Sequence, residues 1–394
     1  MRIAILGTRG IPSRYGGFET FAEQLAIRLV ERGHEVTVFC EAGMDAHCEY
    51  RGVRLRHIRR SNVGPLSTVL FDGACLWKAR SGFDVVYMLG YGASGFCWLP
   101  RIWGSQVWIN MDGVEWARKK WGSIARLYFR IAEAIAMCTP SRIIADAAEI
   151  KKVLRSRHNW MPPCDVIPYG CEIVETASRD ELNSYGLVPG FYYLVVCRFE
   201  PENHVKEIIQ GFSKSNTQAR LVLVGDSRRG TYARSLTTYK DDRVVFLGPV
   251  YDLPKIQALR YFCKAYLHGH SVGGTNPSLL EAMGCGNLIL AHDNPFNREV
   301  LGSSAIFFST AAQVGAAIDS VDSKTVDLSN LKTSVVQRAR QFYGWEQITD
   351  HYCDLLALVS SESRDSSEVI QRGPVSSGGA MAPLLRGTSS RFDP

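Results

Sequence analysis

The sequence predicts an α/β protein made of two doubly wound domains that face each other across a cleft. Three observations predict it. Short apolar runs alternate with amphipathic helical stretches, and this alternation starts afresh near the middle of the chain. In addition, 394 residues are too many for one ordinary core and fit two domains of typical size.

Met1–Leu6 is an apolar run of strand length, and Gly7–Gly17 (GTRGIPSRYGG) is a loop of turn residues. FETFAEQLAIRLVERG then places Phe18, Phe21, Leu25 and Leu29 at helical spacing, with Gly33 as C-cap, before the strand HEVTVFC. A strand–helix–strand start of this kind implies a parallel sheet with a right-handed crossover. Further strands are predicted at Val53–His57, Val85–Met88, Val107–Asn110 and Ile143–Ala145, with a helical run over Leu127–Met137. Met161–Glu172 carries proline and glycine and reads as a linker, which sets a first domain at 1–170.

The second alternation runs through strands Tyr192–Cys197, Arg220–Val224, Val244–Leu247, Ala265–His268 and Leu288–Ala291. Helices are predicted between them at His204–Phe212, Leu253–Tyr261 and Ser278–Met283, giving a second domain at 171–340. An apolar-periodic helix follows within 341–359 and is expected to cross back onto the first domain. Residues 360–394, rich in Ser, Gly, Arg and Pro, read as a disordered tail.

The composition narrows the function. Eleven cysteines are scattered without a CxxC pair or zinc spacing, so no metal is expected, and the odd count suits reduced thiols in a cytosol. The start of the chain lacks the pattern of a signal peptide, and no apolar run reaches the roughly 18 residues that span a bilayer. Residues 1–170 hold 23 Lys and Arg against 15 Asp and Glu, whereas the remainder holds 22 against 24. A basic first half could attract an anionic membrane surface, a phosphorylated lipid or nucleic acid, and ordinary surface solvation explains it as well.

Ligands of doubly wound sheets sit at the carboxyl ends of strands, so the loops there are the candidates. Gly16 and Gly17 allow close backbone approach ahead of a helix N-terminus, or serve as turn residues only. After the third of the predicted later strands comes NMDGVEWARKKW, in which Asp112 could bond a sugar hydroxyl or simply cap the next helix. There Glu115, Trp116, Arg118, Lys119, Lys120 and Trp121 could form an acceptor or membrane face, or one side of a packed helix.

In RFEPENHVK, Arg198 ends a strand and could bind a diphosphate, with Asn203 and Lys206 nearby; an ion pair with Glu200 or Glu202 is the alternative. Gly225 ends the following strand. The densest segment is HGHSVGGTNPSLLEAM, where a glycine-containing loop opens a helix. Asn276 or Ser278 would cap that helix, whose exposed N–H groups and dipole suit an anion, and Glu281 would reach ribose hydroxyls. His268 and His270 point the same way, with no third ligand to make a metal site.

These segments together, with LGPVYDLP and DNPFNREV, resemble the retaining GT-B glycosyltransferases (family 4-like), whose fold is two Rossmann-like domains. The likeness is greatest to bacterial rhamnosyltransferase-type enzymes of capsule, exopolysaccharide and O-antigen assembly, and spans roughly residues 1–350. It implies that Gly16 and Gly17 hold donor phosphates or acceptor, that Arg198 clamps the donor diphosphate, that Gly274, Thr275 and Asn276 offer backbone N–H groups to sugar and phosphate, and that Glu281 holds the ribose as the second glutamate of a Glu-x7-Glu element. The first glutamate of that element is replaced by Gly273, the usual lysine falls on Asn203, and an acceptor-side histidine gives way to Asp112-Gly113.

The resemblance implies a hexosyltransferase without cofactor or metal. It would move a sugar, L-rhamnose from dTDP-L-rhamnose, from a nucleotide-diphosphate donor to a lipid-linked saccharide with retention. Asp112, Arg198 and Glu281 are the candidate catalytic residues. The protein would be cytoplasmic, peripheral on an anionic membrane, with no nucleic-acid partner. A nucleotide-sugar epimerase and a non-catalytic nucleotide-sugar sensor or scaffold are the rival readings.

Overall fold

The computed structural model describes residues 1–13, 16–43, 47–111, 113–118, 121–325 and 327–371. Its first sheet comprises Arg2–Leu6 (β1), Glu35–Glu41 (β2), Glu49–Tyr50 (β3), Val53–Ile58 (β4), Val85–Leu89 (β5), Gln106–Met111 (β6), Arg142–Ala145 (β7) and Cys164–Val166 (β8). The strand order is β3-β4-β2-β1-β5-β6-β7-β8, parallel throughout except for the short antiparallel pair β3–β4. The second sheet comprises Tyr192–Val196 (β9), Arg220–Val224 (β10), Val244–Gly248 (β11), Ala265–His268 (β12), Ile289–His292 (β13) and Ile306–Phe308 (β14). Its order is β11-β10-β9-β12-β13-β14, wholly parallel.

Strands such as RIAIL, VVYML and YYLVV read as unbroken apolar runs because helices bury both faces of a parallel sheet. In β9 and β10 the alternation is visible in the core itself. Tyr193, Val195, Leu221 and Leu223 enter one cluster, and Tyr192, Leu194, Val222 and Val224 the cluster on the opposite face.

Strand order reverses between β1 and β5 in the first sheet and between β9 and β12 in the second. Such switch points leave crevices at the strands' carboxyl ends, and ligands bind there. The loops after β1, β9 and β12 are therefore placed by topology where the sequence reading sought chemistry.

Met161–Glu172, read as a linker, contains β8, which pairs with β7. Its flanking prolines mask it in the sequence, and they are tolerated because β8 is an edge strand. Helices Ser67–Lys78, Ala148–Arg157, Ala311–Asp322 and Leu328–Phe342 are additional to those the sequence suggested. The final helix is Trp345–Gln371, so residues 360–371 are helical where a disordered tail was expected, and 372–394 lie outside the described residues. At its start, the Trp345 ring lies 6.1 Å from Phe21, and the Tyr352 hydroxyl is 2.8 Å from that of Tyr87. Arg32 pairs with Glu346 and Asp350 at 2.8 and 2.7 Å, so this first stretch ties back to the first sheet's helix Gly17–Glu31.

Candidate active site between the two halves

Beyond β12 the chain runs through a loop into helix Pro277–Gly284. Pro277 occupies the first turn, and the Asn276 carboxamide oxygen accepts the Ser278 N–H at 3.0 Å, so Asn276 is the cap. The Ser278 hydroxyl turns inward, 3.0 Å from the Val196 carbonyl and 2.7 Å from the Tyr266 hydroxyl. It fastens the helix to β9 and β12. Glu281 forms an ion pair with Arg260, a side chain of helix Leu253–Tyr261 that is only 4% exposed.

The same loop meets the first half. Gly273 has φ of 125° and Gly113 of 79°, and a Cβ on Gly113 would lie 2.8 Å from the Gly273 Cα. Both glycines hold a backbone conformation that only glycine adopts without strain, so a glutamate at 273 would be strained in this loop. A Cβ on Gly274 would overlap the carboxylate of Asp146, the residue after β7. The Thr275 N–H donates to Asp146 Oδ2 at 3.0 Å and the Thr275 hydroxyl donates to the Asp146 carbonyl. Two and three residues beyond Asp146, the N–H groups of Ala148 and Glu149 donate to the Glu299 carboxylate at 2.6 and 2.9 Å. Gly17, at the start of a helix with no side-chain cap, faces Pro277, whose Cγ would lie 3.0 Å from an added Cβ.

Arg118 and Arg198 both lie near enough to His270 to act on its imidazole. Burial, then His268, Arg198, Arg118 and His204, hold the His270 imidazole well below its usual range. Burial takes His268 down to about 3, with His292 adding to it, and burial with His204 takes His292 down to about 4. His268 stacks on His270 at 4.4 Å and His204 on His292 at 4.1 Å. The imidazoles of His268, His270 and His292 stay neutral at pH 7, and the guanidinium groups near His270 leave an electropositive crevice suited to an anionic ligand.

Arg198 is exposed after β9, and its carbonyl accepts from the Asn203 amide at 2.6 Å. Asn203 thus shapes the arginine's loop. Lys206 is exposed in the first turn of helix Val205–Lys214, where its N–H donates to the Tyr232 hydroxyl. Gly225 packs against the Cys197 carbonyl and the Phe199 ring. Glu115 pairs with Arg118 at 2.5 Å and accepts the Trp121 indole N–H at 3.1 Å. The Trp116 indole donates to Glu133 at 2.7 Å, with Arg157 and Arg130 over its ring at 4.3 and 5.0 Å. The expected interfacial face at 115–121 is, over its described residues, a packed polar network. Asp112, Lys119 and Lys120 lie outside the described residues. Among the described residues no group of His, Cys, Asp or Glu is placed to hold a metal.

Sequence reasoning overlooked Asp146, Arg260, Glu299, Asn294 and Asn297. The two asparagine amides both donate to the His270 carbonyl, at 3.0 and 2.9 Å. Asn294-Pro295 carries a legible signal, an N-cap followed by proline at the first helical position.

Comparison with known proteins agrees with this geometry. Residues 183–341 match the family Glycosyl transferases group 1, and residues 1–172 match a Domain of unknown function (DUF1972). No curated protein matches the chain. Among solved structures, sucrose-phosphate synthase from Thermosynechococcus elongatus superposes with a TM-score of 0.76 at 18% identity, over 92% of this chain and 99% of that one. HepE of Anabaena, in complex with UDP-glucose, gives 0.74 at 18% identity over 91% and 99%. An α,α-trehalose 6-phosphate synthase from Burkholderia multivorans gives 0.67 at 13% identity over 95% and 98%. With a glycosyl transferases group 1 domain over residues 183–341 and two facing Rossmann-like halves, the chain is a glycosyltransferase of GT-B fold.

Proposed function

We propose that this glycosyltransferase moves a sugar from a nucleotide-diphosphate donor to a lipid-linked saccharide in bacterial surface polysaccharide biosynthesis, with retention of configuration. The observation that carries the donor half is the clustering of Arg198, Arg118, neutral His270 and the N-terminus of helix Pro277–Gly284 at the switch point of the second sheet. HepE, a structural neighbour, was solved with UDP and with UDP-glucose, which supports a donor of this class.

As the sugar leaves, negative charge grows on the diphosphate. Arg198 and the positive end of the dipole of helix Pro277–Gly284 are the groups that stabilise it. Glu281, steadied by Arg260, takes the ribose hydroxyls. Gly16 and Gly17 line the crevice from the first half, and Asp112 orients the acceptor. L-Rhamnose from dTDP-L-rhamnose is the donor favoured by the resemblance to rhamnosyltransferase-type enzymes, with Gly273 leaving the sugar pocket without the family glutamate. The acceptor's lipid places the protein at the inner face of an anionic membrane.

Arg198→Ala is expected to lower nucleoside diphosphate release by about 10²-fold or more in the presence of donor and membrane extract, without unfolding the chain. Unchanged release from that variant refutes the diphosphate role. A panel of nucleotide sugars in the same assay identifies the donor, and turnover of donor without any acceptor would identify an epimerase instead.

A further inference from the structure

Away from the cleft, the first half presents an apolar surface that its own fold leaves bare. In helix Ser123–Ala136 the residues Ala132, Glu133 and Ala136 are buried. Ile124, Leu127, Ile131 and Ile135 recur every three to four residues along the other face and stay exposed, Ile124 by 87%. The surface continues beyond that helix. Ser94 donates its hydroxyl to the Ala132 carbonyl at 2.7 Å, and partly exposed Phe96 lies over Gly73 of helix Ser67–Lys78. Helix Trp98–Ile102 packs beside Ser67–Lys78 and adds Trp98, Ile102 and Trp103, with Ile102 64% exposed.

The exposed charges on these segments have one sign. Residues 64–80, 94–105 and 122–137 contain two carboxylates, Asp72 and Glu133, and both are buried. Lys78, Arg101, Arg126 and Arg130 are exposed. None of the described helices is long and apolar enough to cross a membrane. Contiguous bare apolar surface marks an interaction site, and cations at its margin select a partner that is apolar within and negative at its rim.

We propose that this face docks on an anionic lipid bilayer, its aliphatic and indole side chains entering the interface while the four cations meet headgroups. It names the membrane partner of the reading above and draws its purpose from the lipid-linked acceptor, yet it lies on three helices distinct from the loop 115–121.

Flotation of the full chain with vesicles, in the absence of donor and acceptor, tests it. Binding is expected to phosphatidylcholine vesicles containing phosphatidylglycerol, weaker to phosphatidylcholine alone, and weaker again at high salt. The double variant Leu127→Ser, Ile131→Ser is expected to lose about tenfold or more of that binding while keeping its melting temperature. The proposal falls if neither vesicle binds the protein, or if the double variant binds as the wild type does. It falls equally if light scattering shows that the face joins two copies of the chain and vesicles recruit neither form. Vesicle binding without sugar transfer to a membrane acceptor would keep the docking face and refute the acceptor. Transfer to such an acceptor without vesicle binding would do the reverse.

Discussion

The contact between Asp146 and the Gly274-Thr275 backbone joins the halves at the donor helix, and a double-mutant cycle measures it. Gly274 lies outside the left-handed region, so its backbone accommodates alanine, and the clash with the Asp146 carboxylate is what Gly274→Ala introduces. Filling occupied space in a packed site costs about 1–3 kcal/mol. Asp146→Ala removes a charged acceptor from the Thr275 N–H, 3.0 Å away in a residue only 3% exposed, at a cost of about 1.5–3 kcal/mol. Combined, the added methyl enters the space that the carboxylate vacates. The double variant should then be about as stable as Asp146→Ala alone, giving a coupling of about 1–3 kcal/mol. Urea unfolding of the wild type and the three variants reads this directly, and donor KM should rise in each single variant as the loop shifts. Losses that add to within about 0.5 kcal/mol would show that the two residues do not share this contact in solution.

Two further perturbations probe the site and the core. Arg260→Met keeps bulk beneath Glu281 and removes its counter-charge. Because the Glu281 side chain is 37% exposed, stability should fall by only about 1 kcal/mol, while donor KM rises about tenfold as the carboxylate loses its fixed geometry. An unchanged KM would detach Glu281 from the donor. Burial pushes the Asp72 carboxyl from 3.8 up to about 7, against the pull of Arg60. The unfolded chain thus releases this proton first, and stability declines as pH climbs between those values and levels off above the higher one. Asp72→Asn should gain on the wild type by about 2 kcal/mol between pH 5 and pH 8, and a gain independent of pH would exclude this carboxyl as its source.

What was legible in the sequence follows the range of the interaction concerned. The strand–loop–helix junctions at Gly7–Gly17, Arg198–Lys206 and His268–Glu281 announce themselves locally, through an apolar run, turn residues and a renewed helical period. A cap at Asn276 or Ser278 is equally local, and the structure assigns it to Asn276. Trp116 and Trp121 among arginines read as an interfacial face because the sequence cannot show that Glu133 and Glu115 accept their indole protons. The isoleucines at 124, 131 and 135 were visible as apolar, but whether a helical stripe is core or surface depends on what the fold lays against it.

Asp146 is the sharpest case. IIADAAEI shows the end of the strand Ile143–Ala145, and an aspartate just beyond a strand is unremarkable as a turn residue. Its meaning arises only when Thr275, 129 residues away, is brought onto it by the packing of one half on the other. Gly273 is read differently in the structure. In the sequence it looks like the loss of a carboxylate, whereas its φ of 125° marks a position where any side chain strains the backbone, and the close approach itself falls on Gly113, where an added Cβ would lie 2.8 Å from the Gly273 Cα. A glutamate restored at 273 would therefore test geometry before chemistry. Gly273→Glu should destabilise the chain by about 1 kcal/mol or more through backbone strain alone, and a variant of wild-type stability would mean that this loop does not hold the φ of 125° in solution.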